Sequence, residues 1–136
     1  MTALRAGLVF LTAVQAGLGG WILVAPGSFF ALPWVNMGLP YNEHLLLDFG
    51  AMNLALAVLL GVAAVRMDRV LVRTALVVYL VFAGAHVLIH TRYLGHLPPA
   101  QSAVLVTLLS LAAAVPIGLL VLTVRRSTTS AGTAPP

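Results

Sequence analysis

Apolar residues in this chain neither alternate with polar ones, as in a strand, nor form the one-sided stripe of a water-facing helix. They fill four long stretches in which a helix would be hydrophobic all round. A membrane crossing needs about 20 mostly apolar residues, and residues 2–25, 42–65, 70–91 and 99–124 each reach that length. The pattern predicts an all-α integral membrane protein, an antiparallel four-helix bundle forming a single domain over residues 1–124. Local signals punctuate it. Pro26-Gly27 ends the first span, Asn42 before Glu43 reads as an N-cap with a first-turn acid, and Arg66-Met67-Asp68-Arg69 reads as a solvated hairpin turn. Pro116, with Gly118 beside it, predicts a kink in the fourth span. Residues 125–136, rich in Ser, Thr, Ala, Gly and Pro, read as a disordered tail. Arg5 and the triplet Leu23-Val24-Ala25 would also suit a cleaved signal peptide, but the apolar run is long for one, and an uncleaved span is expected.

Composition narrows the class. The chain is 61% hydrophobic and 7% charged, against about 25% charged in soluble domains. It cannot cover a water-facing surface, which excludes an ordinary cytoplasmic enzyme and a nucleic-acid binder. The net charge of +4 comes from arginines at the ends of the apolar runs. With four spans, Arg5, Arg66, Arg69, Arg73, Arg125 and Arg126 fall on one side and only Arg92 on the other. By the positive-inside rule both termini are expected in the cytoplasm, and the expected location is the cell inner (plasma) membrane. Arg73, a turn inside the third span, is expected to snorkel to that surface. The connection 26–41 carries Phe29, Phe30, Trp34 and Tyr41, with Trp21 just before it, and reads as an interfacial anchor or a lid. The chain has no cysteine, hence no disulfide and no thiolate ligand.

The few polar residues gather toward the end opposite the arginines. Ionisable groups within a span cost roughly 2.5–3.5 kcal/mol each on insertion scales, so they are functional candidates by default. His44 and Asp48 are four apart on the second span, and His86 and His90 four apart on the third, so each pair shares a helix face. If these antiparallel neighbours are in register, His44 opposes His90 and Asp48 opposes His86 one turn deeper. Imidazole and carboxylate donors suit a transition metal such as Zn, Cu or Fe, and two such pairs on facing helices can close a site. Glu43 would then be the acid/base on a bound water. Ala51 and Ala55 extend the first pair's stripe, while Tyr79 would floor the pocket and Tyr93 overhang its mouth. The competing reading makes Asp48–His86 a helix lock and His96 a solvated loop residue. Asn53 lies off that stripe, level with Gln15, and an Asn53–Gln15 hydrogen bond would glue two spans. Haem is disfavoured, because His86 and His90 share one helix face.

The motifs Pro40-Tyr41-Asn42-Glu43-His44-Leu45 with Asp48-Phe49-Gly50-Ala51-Met52-Asn53-Leu54-Ala55, and His86-Val87-Leu88-Ile89-His90 with Leu94-Gly95-His96-Leu97, resemble a group of small bacterial four-span membrane proteins. Their layout is similar to that of the DoxX-like families, and the resemblance covers roughly residues 5–122. It implies the four-span architecture and the same polar residues, without naming a reaction. DoxX-like proteins are associated with redox partners and thiol chemistry, for which this chain offers no cysteine. Two function classes follow. One is a metal-binding membrane protein, or metalloenzyme, built on His44, Asp48, His86 and His90. The other is a non-enzymatic accessory or small-ligand-binding subunit whose polar pairs lock helices. The expected partners are the lipid bilayer and either a homo-oligomer or another membrane subunit, with no nucleic acid.

Overall fold

The computed structural model describes residues 2–131, with side chains over 2–124. Its elements are α1 (Thr2–Val24), two short helices α2 (Pro26–Phe30) and α3 (Pro33–Asn36), α4 (Glu43–Arg66), α5 (Arg69–Thr91), a 3-10 turn (Leu94–His96) and α6 (Pro99–Ala131). Four helices, α1, α4, α5 and α6, are long and apolar enough to cross a membrane. This is the expected all-α four-helix architecture of a multi-pass membrane protein. The backbone of α6 continues to Ala131, past the position where the tail was expected to begin; residues 132–136 lie outside the described residues.

The helix ends follow from capping chemistry. The Asn42 side chain accepts from the Leu45 amide and starts α4, and the Asp68 side chain accepts from the Leu71 amide and starts α5. Between them, Met67 takes a left-handed conformation (φ 50°), and its amide closes on the Ala63 carbonyl. Met37 does the same at the end of α3 (φ 48°), with its amide on the Pro33 carbonyl. A left-handed methionine carries strain that glycine would avoid. Here both side chains pack inward, Met37 being buried and Met67 lying against the core.

Two antiparallel pairs dominate the packing, α1 on α4 and α5 on α6, joined where α4 meets α5. The α1–α4 approach is very close: a Cβ built on Gly19 would lie 2.8 Å from the Gly50 carbonyl oxygen. Toward the end carrying the termini, the core is aliphatic. It joins Leu4, Leu8 and Leu11 of α1, Leu56, Leu60 and Ala63 of α4, Val72, Ala75 and Leu76 of α5, and Leu119 of α6. Pro116 lies buried inside α6, which continues through it as one helix. Arg73 reaches toward the end of the apolar span of α6 at Thr123. Its Nε donates to Thr123 Oγ1 (3.1 Å) and its Nη2 to the Thr123 carbonyl (3.2 Å), tying α5 to α6.

The α1–α4 contact yields a direct test. Gly19→Ala sets its methyl against a backbone oxygen that cannot move aside, so a loss of about 1–3 kcal/mol is expected. Gly20→Ala meets open space and should leave stability unchanged or slightly raised. Thermal unfolding of both variants in detergent measures the contrast.

Candidate functional site

Small residues decide which way α4 faces. Gly50, Asn53, Ala57, Leu60 and Ala64 are buried, with Gly50 beneath Ile22 and Leu23 of α1. The opposite face of α4 therefore points out of the bundle, and it carries His44, Asp48, Ala51 and Ala55, all exposed. His44 Nε2 lies 3.5 Å from Asp48 Oδ2, with side chains 88% and 66% exposed. The expected opposition of His44 to His90 and of Asp48 to His86 is thus replaced by a lateral pair on the outside. Here the close packing of small residues against α1 sets the rotation of α4. Ala51 and Ala55 accordingly do not line a pocket with Tyr79.

Phe49, one position on from Asp48, meets α5 instead. The His86 ring packs with Phe49 (centroids 5.6 Å apart, planes at 17°) and Phe82 (5.5 Å, 20°), which also meet each other at 6.1 Å, so the three rings form a triangular cluster. His90 meets His86 edge-on at 4.5 Å, and its Nδ1 is buried without a hydrogen-bond partner. The column continues from Phe82 to Tyr79 at 6.3 Å, and from Phe49 through Phe29 (6.5 Å) to Trp21 (5.4 Å from Phe29). It runs from the 26–41 connection into the middle of the bundle. Aromatic pairs at such separations contribute about 0.5–1.5 kcal/mol each beyond their burial. Among the described residues, no three His, Asp or Glu side chains stand close enough together to hold a metal ion.

Tyr79 is 2% exposed and accepts a hydrogen bond from Gln15 Nε2 at 3.2 Å. The expected Asn53–Gln15 bond is not made. Asn53 Nδ2 donates to the Phe49 carbonyl at 2.7 Å, within its own helix, a local alternative open to a short amide side chain. Gln15 and Asn53 are only 3% and 1% exposed, and the side-chain oxygen of each is left without a partner.

The connection 26–41 folds back over this end. Trp21 Nε1 donates to Ser28 Oγ (2.7 Å), Ser28 Oγ donates to the Ala25 carbonyl (2.8 Å), and Phe29 is buried under the turn. His96 is exposed in the α5–α6 loop, as expected, and also reaches across from it. Its Nδ1 lies 3.0 Å from the Met37 carbonyl; a carbonyl only accepts, so Nδ1 carries the hydrogen. Tyr93 sits beside His96, with ring centroids 6.0 Å apart. Glu43 is exposed at the first position of α4 and forms no ion pair among the described residues. Desolvation, with the Glu43 carboxylate second, pushes the Tyr41 phenol above its ordinary value.

Sequence reasoning missed Phe49 and Phe82 as the partners of His86, and Phe29 as a partner of Phe49. One signal was present: Phe82, His86 and His90 recur every four residues on one face of α5. Compared with protein-family models, curated proteins and solved structures, the chain matches none.

The stack separates a packing role from a ligand role for His86. If the ring acts by stacking, His86→Phe should hold stability within about 1.5 kcal/mol, while His86→Ala should lose roughly 2–4 kcal/mol. Equal losses in both variants, read by thermal unfolding, would assign the nitrogen atoms a task that stacking does not supply.

Proposed function

We propose that this protein is a non-enzymatic accessory subunit of the inner membrane, with both termini in the cytoplasm, that associates laterally with a second copy of itself through the outward face of α4. The single observation carrying this reading is the exposed His44–Asp48 pair above Ala51 and Ala55. Ionisable groups turned toward lipid are costly, and a polar partner at the same depth offsets that cost. About a two-fold axis along the membrane normal, identical residues meet at equal depth. His44 of each copy then lies within a helical turn of the other copy's Asp48. The alanines between the two α4 helices allow close approach. The six-to-one distribution of arginines supports the orientation.

The metalloenzyme reading has less support. His86 packs into a cluster with Phe49 and Phe82, while Asp48 and His44 lie on the opposite side of α4 from Asn53 and the core, so the expected ligands are not gathered at one point. Inside the bundle, Gln15 ties α1 to Tyr79 of α5.

The absence of cysteine makes the test clean. Ala55→Cys, oxidised in native membranes, should give a disulfide-linked dimer, while Val77→Cys on the exposed side of α5 should not. No dimer from Ala55→Cys, or equal yields at both positions, would overturn the reading. A photo-reactive residue at position 55 that captures only a different protein would remove the second copy as partner. Metal content by mass spectrometry checks the competing class. The parent and the His86→Ala/His90→Ala variant are both expected to hold far less than one metal per chain. Near-stoichiometric Zn, Cu or Fe in the parent, lost in the variant, would reinstate a metal site.

A further inference from the structure

At the end carrying the termini, α1 and α4 leave a groove of about 280 Å³ lined by Arg5, Val9, Thr12, Gly61, Ala64 and Val65. Its walls are apolar for identifiable reasons. The Thr12 hydroxyl donates to the Leu8 carbonyl at 2.8 Å, which leaves its methyl toward α4. Gly61 keeps the floor open, since even a Cβ there would approach the Thr12 methyl at 3.4 Å. Thr12 is seven residues along α1 from Arg5, so the groove penetrates by about 10 Å at the helical rise.

Arg5 stands at its mouth. Its Nε donates to the Ala64 carbonyl at 3.0 Å, one of the last carbonyls of α4, which has no helical partner. That bond fixes the guanidinium plane, and its terminal NH2 groups have no hydrogen-bond partner among the described residues. Arg66 and Arg69 lie at the same end of the bundle, where the only acid, Asp68, is engaged in capping α5.

We infer that this groove binds one anionic phospholipid, its phosphate on the fork of Arg5 and one acyl chain along Val9, Thr12, Gly61 and Val65. A guanidinium presents paired donors that match phosphate oxygens. A basic site between spans on the arginine-rich side is where membrane electrostatics favours an anionic headgroup. The apolar extension favours a lipid over free phosphate. The site lies at the opposite end of the molecule from the His44–Asp48 pair and stands independently of the proposed dimer.

The test is native mass spectrometry of the full chain in detergent with equal phosphatidylglycerol and phosphatidylcholine, and a separate arm with glycerol 3-phosphate. One phosphatidylglycerol should remain bound under activation that strips phosphatidylcholine, and glycerol 3-phosphate should not displace it. Arg5→Gln should weaken retention about fivefold. Gly61→Leu fills the groove with Arg5 intact and should weaken it comparably, whereas Gly61→Ala should retain the lipid. Should Arg5→Gln fail to fold, the Gly61 pair decides. Equal retention of both lipids, unchanged retention in Gly61→Leu, or displacement by glycerol 3-phosphate would each overturn the inference.

Discussion

The approach of Gly19 to the Gly50 carbonyl sets the rotation of α4, and much of the molecule depends on that rotation. A Cβ on Gly19 would come within 2.8 Å of the oxygen, so the two backbones touch with almost nothing between them. With Gly50 turned to α1, Asn53, Ala57, Leu60 and Ala64 follow it inward along the same face. His44, Asp48, Ala51 and Ala55 are carried to the outside, and Phe49 is left to reach α5. No hydrophobic force between the helices is available to do this, because lipid tails are as apolar as leucine. Shape decides.

Once rotation is set, the polar groups act one at a time as ties between elements. Arg5 joins α1 to the α4 terminus, Gln15 joins α1 to Tyr79 of α5, Arg73 joins α5 to Thr123 of α6, and His96 joins the α5–α6 loop to Met37. Measured side-chain hydrogen bonds within membranes average only about 0.6 kcal/mol, so none of these ties builds the bundle. They select one arrangement among several that apolar packing would tolerate. The two ends differ in kind. The arginine end has an aliphatic core closed by guanidinium–carbonyl bonds, and the other end has an aromatic column capped by a folded-back connection.

The column gives the histidines a physical setting that their spacing did not disclose. At four-residue intervals, Phe82, His86 and His90 stand above one another on α5, and Phe49 of α4 packs against both Phe82 and His86. A ring packed into such a cluster is held by its aromatic neighbours, whereas His44 and Asp48 remain available at the lateral surface. The same polar inventory therefore divides into an inner, packing set and an outer, contact-forming set. The proposed α4 seam rests on that division.

Much of the fold was legible in the sequence. Four apolar runs gave the long helices and Asn42 gave a helix start, because each depends on local composition or on neighbours within a turn. The candidate site was legible only as a set of residues. Which face of α4 meets the bundle depends on a glycine 31 positions away in the chain. A helix apolar on every side carries no hydrophobic stripe to announce its inward face. The Asp48–His86 opposition read from spacing gave way to Phe49–His86, and the expected Asn53–Gln15 bond to two separate ones. Hydropathy is a property of a segment, so the sequence determined where the helices are. Rotation about the helix axis is a property of contacts between segments, so the tertiary structure alone decided which side chains meet.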